Sequence, residues 1–94
     1  MAIKSFKDAW LLSILARECP KGFPADLAAV ARRKLVMLDA ALRLDDLRAP
    51  PANRLEALKG DRAGQHSIRV NDQFRLCFRW TDAGPEDVEL VDYH

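Results

Sequence analysis

Lys59, Arg75, Asp92, Tyr93 and His94 are the residues whose types and spacing could act on a phosphodiester, and they fall into two groups. Lys59 opens the glycine-bounded basic turn Lys59-Gly60-Asp61-Arg62-Ala63-Gly64, and Arg75 stands in the middle of a strand-like segment that the turn can reach. Two cations brought to one spot repel each other unless an anion offsets them, and a phosphate fits that requirement. The second group is the closing run Asp92-Tyr93-His94, a carboxylate, a phenol and an imidazole in succession. An imidazole near its unperturbed pKa, about 6.5, exchanges protons at neutral pH, whereas a carboxylate must first have its pKa raised. His94 is therefore expected as the acid or base, with Asp92 as its orienting or electrostatic partner. If strand alternation persists to the end of the chain, Asp92 and His94 share one face and Tyr93 takes the other. The competing reading of a terminal histidine is a frayed end.

Arg62, Arg69 and Arg79 add cations around the same region and are expected to contact the phosphate backbone that would sit there. A row of arginines is equally what a solvated sheet surface looks like. The Lys59–Gly64 turn lacks the Gly-x-x-x-x-Gly-Lys-Ser/Thr spacing of a nucleotide phosphate loop, and no helix is expected to follow it. Its glycines supply backbone freedom, and Asp61 is placed to pair with Arg62 or Arg69. His66 shares the parity of Ile68 and Val70, so it should face the core or its rim as a structural histidine.

The 94-residue length bounds the chain to one domain, residues 1–94. The net charge of +1 conceals segregation. From Arg54 to Trp80 there are six basic residues (Arg54, Lys59, Arg62, Arg69, Arg75, Arg79) against three acidic ones (Glu56, Asp61, Asp72). After Thr81 the charged side chains are Asp82, Glu86, Asp87, Glu89 and Asp92, with a possible His94 cation. Cys19 and Cys77 form neither a disulfide framework nor a zinc spacing, so reduced structural thiols are expected, with no metal and no cofactor. No apolar run approaches a membrane span and the first residues lack a signal-peptide core, so no membrane association and a cytoplasmic location are expected.

The elements that must position these groups follow from periodicity. Ile3 to Phe6 alternates and predicts a first strand; Asp8 to Ala16 predicts a short helix with Asp8 as N-cap. Pro24 suits the start of a second helix, whose apolar side runs through Leu27, Ala31, Leu35, Leu38 and Leu42. Asp45 to Leu47 can add a final turn before Ala49-Pro50-Pro51-Ala52, which favours an extended connection. Ser67 to Val70 and Phe74 to Trp80 alternate apolar and basic residues as two strands, joined at Asn71-Asp72 by a tight turn using left-handed backbone. Asp82 to Pro85 is a second turn and Val88 to Val91 a last strand. The sum is an α+β chain, with an N-terminal strand and two helices packed on one face of a mostly antiparallel sheet.

The ordered set Ile3-Lys4-Ser5-Phe6, Leu58 through Asn71, Phe74-Arg75-Leu76 and Val91-Asp92-Tyr93-His94 resembles the HigB-type branch of the RelE/ParE toxin superfamily, over nearly the whole chain. The resemblance implies a RelE-like fold and a type II toxin that cleaves messenger RNA in the ribosomal A site. It also implies the ribosome and a helix-turn-helix HigA-type antitoxin as partners, with operator DNA met only through the antitoxin complex. The family's functional basic residues fall on Lys59 and Arg75, and its terminal cluster falls on Asp92, Tyr93 and His94. Where some relatives place a histidine two residues before the Leu-Lys-Gly step, this sequence has Glu56. The alternatives are a non-catalytic RNA- or partner-binding module of the same fold, or a toxin directed at DNA gyrase as in the ParE branch. Neither needs proton-transfer groups at the tail.

Overall fold

The structure, a computed structural model, describes residues 2–93; His94 lies outside them, as does Met1. Helices α1 (Leu11–Leu15) and α2 (Ala25–Ala40) precede a four-stranded antiparallel sheet in the order β1 (Glu56–Ala57), β2 (His66–Arg69), β3 (Phe74–Thr81) and β4 (Gly84–Asp92). Three 3-10 turns, Leu44–Arg48, Pro51–Asn53 and Gly60–Arg62, fill the connections.

The helical period of α2 points Ala31, Leu35 and Leu38 inward, where they bury with Leu11 and Ile14 of α1. Across from them lie Ile68, Leu76, Phe78 and Val88, the apolar alternates of β2, β3 and β4. The helices thus cover one sheet face, as the alternation requires. Among the described residues no helix is long and apolar enough to cross a membrane.

Several local expectations are corrected. Leu42 is 88% exposed, because α2 stops at Ala40 and the chain turns away; Leu47 of the following 3-10 turn is buried instead. Asp8 does not cap α1, whose N-cap is Trp10; its carboxylate accepts from Leu90 N at 2.9 Å and so ties the N-terminal segment to β4. That segment forms one isolated parallel bridge, Phe6 with Val88, rather than a strand. Flanking bonds from Lys4 N to Pro85 O (2.7 Å) and Val88 N to Ser5 O (3.1 Å) hold it in place. β4 also starts earlier than expected, at Gly84. Gly84 has φ +123°, and a Cβ there would meet Ala2 O at 2.2 Å, so a glycine lets the N-terminal segment approach.

The β2–β3 turn uses Asn71 differently from the expected left-handed backbone. Its Oδ1 accepts from Gln73 N (2.9 Å) and Phe74 N (2.7 Å), a side-chain substitute for backbone turn bonds. Pro51 begins a 3-10 turn instead of prolonging an extended connection.

One buried polar pair fastens this connection to the helices. Lys34 Nζ donates to Asn53 Oδ1 at 2.6 Å, and Asn53 Nδ2 donates to Leu47 O (3.2 Å) and Ala49 O (3.4 Å). Burial, then the charges of Arg33 and Arg69, lower the Lys34 pKa. Asn53→Ala should cost about 1–3 kcal/mol, since it strands buried polar groups rather than removing a matched set. Urea unfolding of the variant measures it.

Candidate active site

Antiparallel register assembles the site on the sheet face away from the helices. Glu56 lies opposite Ser67, Ser67 opposite Cys77, and Cys77 opposite Glu89, so one row of side chains crosses all four strands. The next row holds Arg69, Arg75 and Val91. Directly opposed residues of antiparallel strands project to the same side, which is the side of the basic alternates.

Arg75 is the most firmly placed of these groups. Its Nε donates to Ser67 Oγ at 2.7 Å, and Nη2 donates to Arg54 O at 2.5 Å and, more weakly, to Ser67 O at 3.4 Å. Ser67 is fully buried, and Arg54 closes the Pro51–Asn53 turn in the left-handed region at φ 45°. A rigid guanidinium fork is thereby aimed, with Nη1 making no hydrogen bond among the described residues.

Tyr93 joins Arg75 on this face. Its hydroxyl sits 3.9 Å from Cys77 Sγ, and its backbone N donates to Gln73 O at 2.5 Å. Burial, reinforced by the neighbouring Cys77, raises the Tyr93 pKa; burial likewise raises that of Cys77, against the opposing pull of the Tyr93 hydrogen bond and Arg62. Both stay protonated at neutral pH. Cys77 is thus a buried thiol and no nucleophile, and Tyr93 is a neutral phenol able to donate a hydrogen bond or stack.

The expected strand alternation holds as far as the structure describes the chain. Asp92 pairs with Phe74 in register and accepts from Gln73 Nε2 at 3.1 Å, on the opposite side of β4 from Tyr93. Asp92 therefore stands at the end of β4, on the side away from Arg75 and Tyr93. His94 lies outside the described residues.

The basic turn is a closed loop, with Leu58 N donating to Gln65 O at 2.9 Å. Lys59 precedes the 3-10 turn and is exposed, and among the described residues its ammonium has no hydrogen bond or ion pair. Two of the other three arginines are already held in ion pairs. Arg62 Nη1 donates to Glu89 Oε2 (2.9 Å) and Gln65 Oε1 (3.2 Å); Arg69 is paired with Asp72; Arg79 packs against Gly64. A Cβ at Gly64 would lie 2.8 Å from Arg79 Nη1, the mobile end of a side chain that can shift, so it is the φ of +92° that calls for glycine. Asp61 takes neither arginine expected for it. His66 keeps its expected place on the core side, its ring 6.5 Å from that of Phe78.

Ser67, Glu89 and the Arg54 carbonyl were not anticipated in the site. The parity of Ser67 with Arg69, and of Glu89 with Val91, was readable in the sequence; the pairing of distant strands was not. Glu56 belongs to a two-residue strand too short to show a period.

Burial acts to raise the Glu89 pKa, but the hydrogen bond and charge of Arg62, with Lys7 at 3.5 Å, outweigh it and hold the carboxyl below its usual range. A depressed carboxyl contributes stability that is present above the ordinary value of 4.5 and lost as pH falls through the folded value. Thermal unfolding of wild type and Glu89→Gln should therefore show a stability gap near neutrality that closes on acidification below that range.

A family model described as the RelE-like toxin of the type II toxin–antitoxin system HigB matches residues 4–94. The chain is 45% identical over 78 residues to Toxin HigB-1 of Vibrio cholerae serotype O1, covering 82% of each chain. It is 30% identical over 92 residues to Endoribonuclease HigB of Proteus vulgaris, covering 98% of this chain and 99% of that protein. With the α+β fold and a basic sheet face in place, these matches show that the chain belongs to the HigB-like family of RelE-like type II toxins.

Proposed function

We propose that this protein is an endoribonuclease that cuts messenger RNA in the ribosomal A site, halting translation and growth, and that a helix-turn-helix antitoxin of the HigA type neutralises it. The observation that carries the reading is Arg75, a guanidinium fixed by Ser67 and the Arg54 carbonyl on the sheet face away from the helices, beside Tyr93. The name of the Proteus vulgaris relative, an endoribonuclease, supports it over nearly the full chain.

Cleavage proceeds by proton transfer between side chains, without a metal. A base removes the proton of a ribose 2′-hydroxyl, and the 2′-oxygen attacks the adjacent phosphorus. The 5′-oxygen leaves with a proton from an acid, giving a cyclic phosphate and a 5′-hydroxyl end. Arg75 and Lys59 offset the extra charge on the phosphoryl oxygens. Lys59 suits that task because its ammonium is unpaired among the described residues, so it can move to the phosphate. Tyr93, a neutral phenol, stacks on a base or orients the strand. His94 and Asp92 supply the proton-transfer chemistry, and Glu56, on the row of Ser67, is a further carboxylate within the same face.

Induced expression with mapping of transcript ends tests the reading. Growth arrest should come with cuts inside translated codons that vanish when translation is blocked; arrest with intact messages would contradict it.

A further inference from the structure

Arg62 looks in sequence like one more RNA ligand. Its surroundings point elsewhere, and we infer that Arg62 and Glu89 are positioning residues: a partly buried ion pair that locks the Lys59 loop onto β4, rather than a pair of RNA contacts. Glu89 lies in the middle of β4 opposite Cys77, with a side chain only 14% exposed. Its Oε2 receives Arg62 Nη1 at 2.9 Å and has Lys7 Nζ at 3.5 Å. The same Arg62 nitrogen also donates to Gln65 Oε1, and the Arg62 backbone closes the turn from both sides, its N–H donating to Lys59 O (3.2 Å) and its carbonyl accepting from Gln65 N (3.0 Å).

The consequence is geometric. The loop runs from Leu58 to Gln65 and carries Lys59 three residues before Arg62; Arg62 is its one ion pair to the sheet among the described residues. Charge-assisted hydrogen bonds are the strong ones, and a partly buried pair is screened little by salt. An arginine that turned Nη1 to RNA would give up its bonds to Glu89 and Gln65 together, so an RNA contact there competes with closure of the loop. Lys59, with no such partner, is the residue the loop leaves available.

The two roles predict different couplings. If the residues act as one lock, removing either breaks the same bond, and removing both does no further harm. If Arg62 binds RNA, its loss is independent of Glu89. The test uses the purified full chain and the variants Arg62→Ala, Glu89→Gln and the double variant. Amide hydrogen exchange across residues 59–65 is read without RNA, and single-turnover cleavage is read on ribosomes programmed with messenger RNA.

Each single variant should speed exchange in the loop by about tenfold or more, the scale of one charge-assisted hydrogen bond. Each should also slow cleavage by about tenfold, as expected for a displaced phosphate ligand, with apparent affinity for the programmed ribosome held within about twofold. The double variant should match either single one in both readouts. Multiplicative losses, unchanged loop exchange, or a Glu89→Gln variant that cleaves normally while Arg62→Ala loses affinity would each overturn the inference. The cleavage arm rests on the endoribonuclease reading and the exchange arm does not. A wild-type protein that cuts nothing would sink that reading and leave the lock to be decided by exchange alone.

Discussion

Arg75→Ala should slow RNA cleavage by about 10²–10³-fold, the scale seen when one preorganised donor is removed from a developing oxyanion. The size follows from the way the guanidinium is held. Nε and Nη2 are committed to Ser67 and the Arg54 carbonyl, so the group is already oriented when the phosphoryl oxygens gain charge. Arg75→Lys should recover only part of the loss, because an ammonium keeps the charge but cannot span Ser67 Oγ and Arg54 O while presenting a planar donor edge. Arg75→Ala also leaves the buried Ser67 hydroxyl without its partner, at a cost of about 1–3 kcal/mol. That is a minor part of the 5–15 kcal/mol that typically holds such a domain together, so the variant should remain folded. Circular dichroism melting, run beside single-turnover cleavage, separates the two effects. A variant that stays folded and cleaves like wild type would remove Arg75 from the chemistry.

The largest effect on stability is expected from Phe78→Ala. Phe78 is fully buried on the helix-facing side of β3, in the cluster with Leu11, Leu35, Leu38, Ile68 and Val88. Truncating such a ring costs about 3–5 kcal/mol, through lost burial and the cavity left behind. In a domain of this size each kcal/mol shifts the midpoint by about 4–8 °C, so the melting temperature should fall by tens of degrees. Phe78→Leu, which refills much of the space, should lose clearly less. Equal losses for both would mean that the ring's shape, rather than its volume, is what the core depends on.

The contrast between β3 and β4 explains how far the sequence could be read. β2 and β3 alternate apolar residues with Ser67, Arg69, Arg75, Cys77 and Arg79, so their faces, and the side on which Arg75 lies, were legible. β4 is irregular: its register with β3 shifts between Cys77 and Arg79, and Asp87 sits at φ 54°. The alternation therefore fails before Val88, which hid the strand's true start at Gly84. Asp8 has the composition of an N-cap, yet its carboxylate meets a β4 amide 82 residues away. No local pattern reports that bond. Arg62 is the same lesson in the site. A basic residue in a glycine-bounded turn advertises its charge, while the acidic partner that occupies it is 27 residues further on. Lys59, Arg75 and Tyr93 could be singled out from their types and spacing, but Ser67 and Glu89 enter only through pairing between strands, and the Arg54 carbonyl through the 3-10 turn that Arg54 closes.

Cleavage of messenger RNA on the ribosome can be reconstituted from purified parts. Purified protein is mixed with a defined messenger RNA, either free or bound to ribosomes with an empty A site, and the ends of the products are mapped. Cuts should be confined to the A-site codon of ribosome-bound message, each leaving a 5′-hydroxyl on the downstream fragment, and should form about 10²–10³-fold more slowly with Arg75→Ala. Intact message on programmed ribosomes, at protein concentrations that bind them, would contradict it.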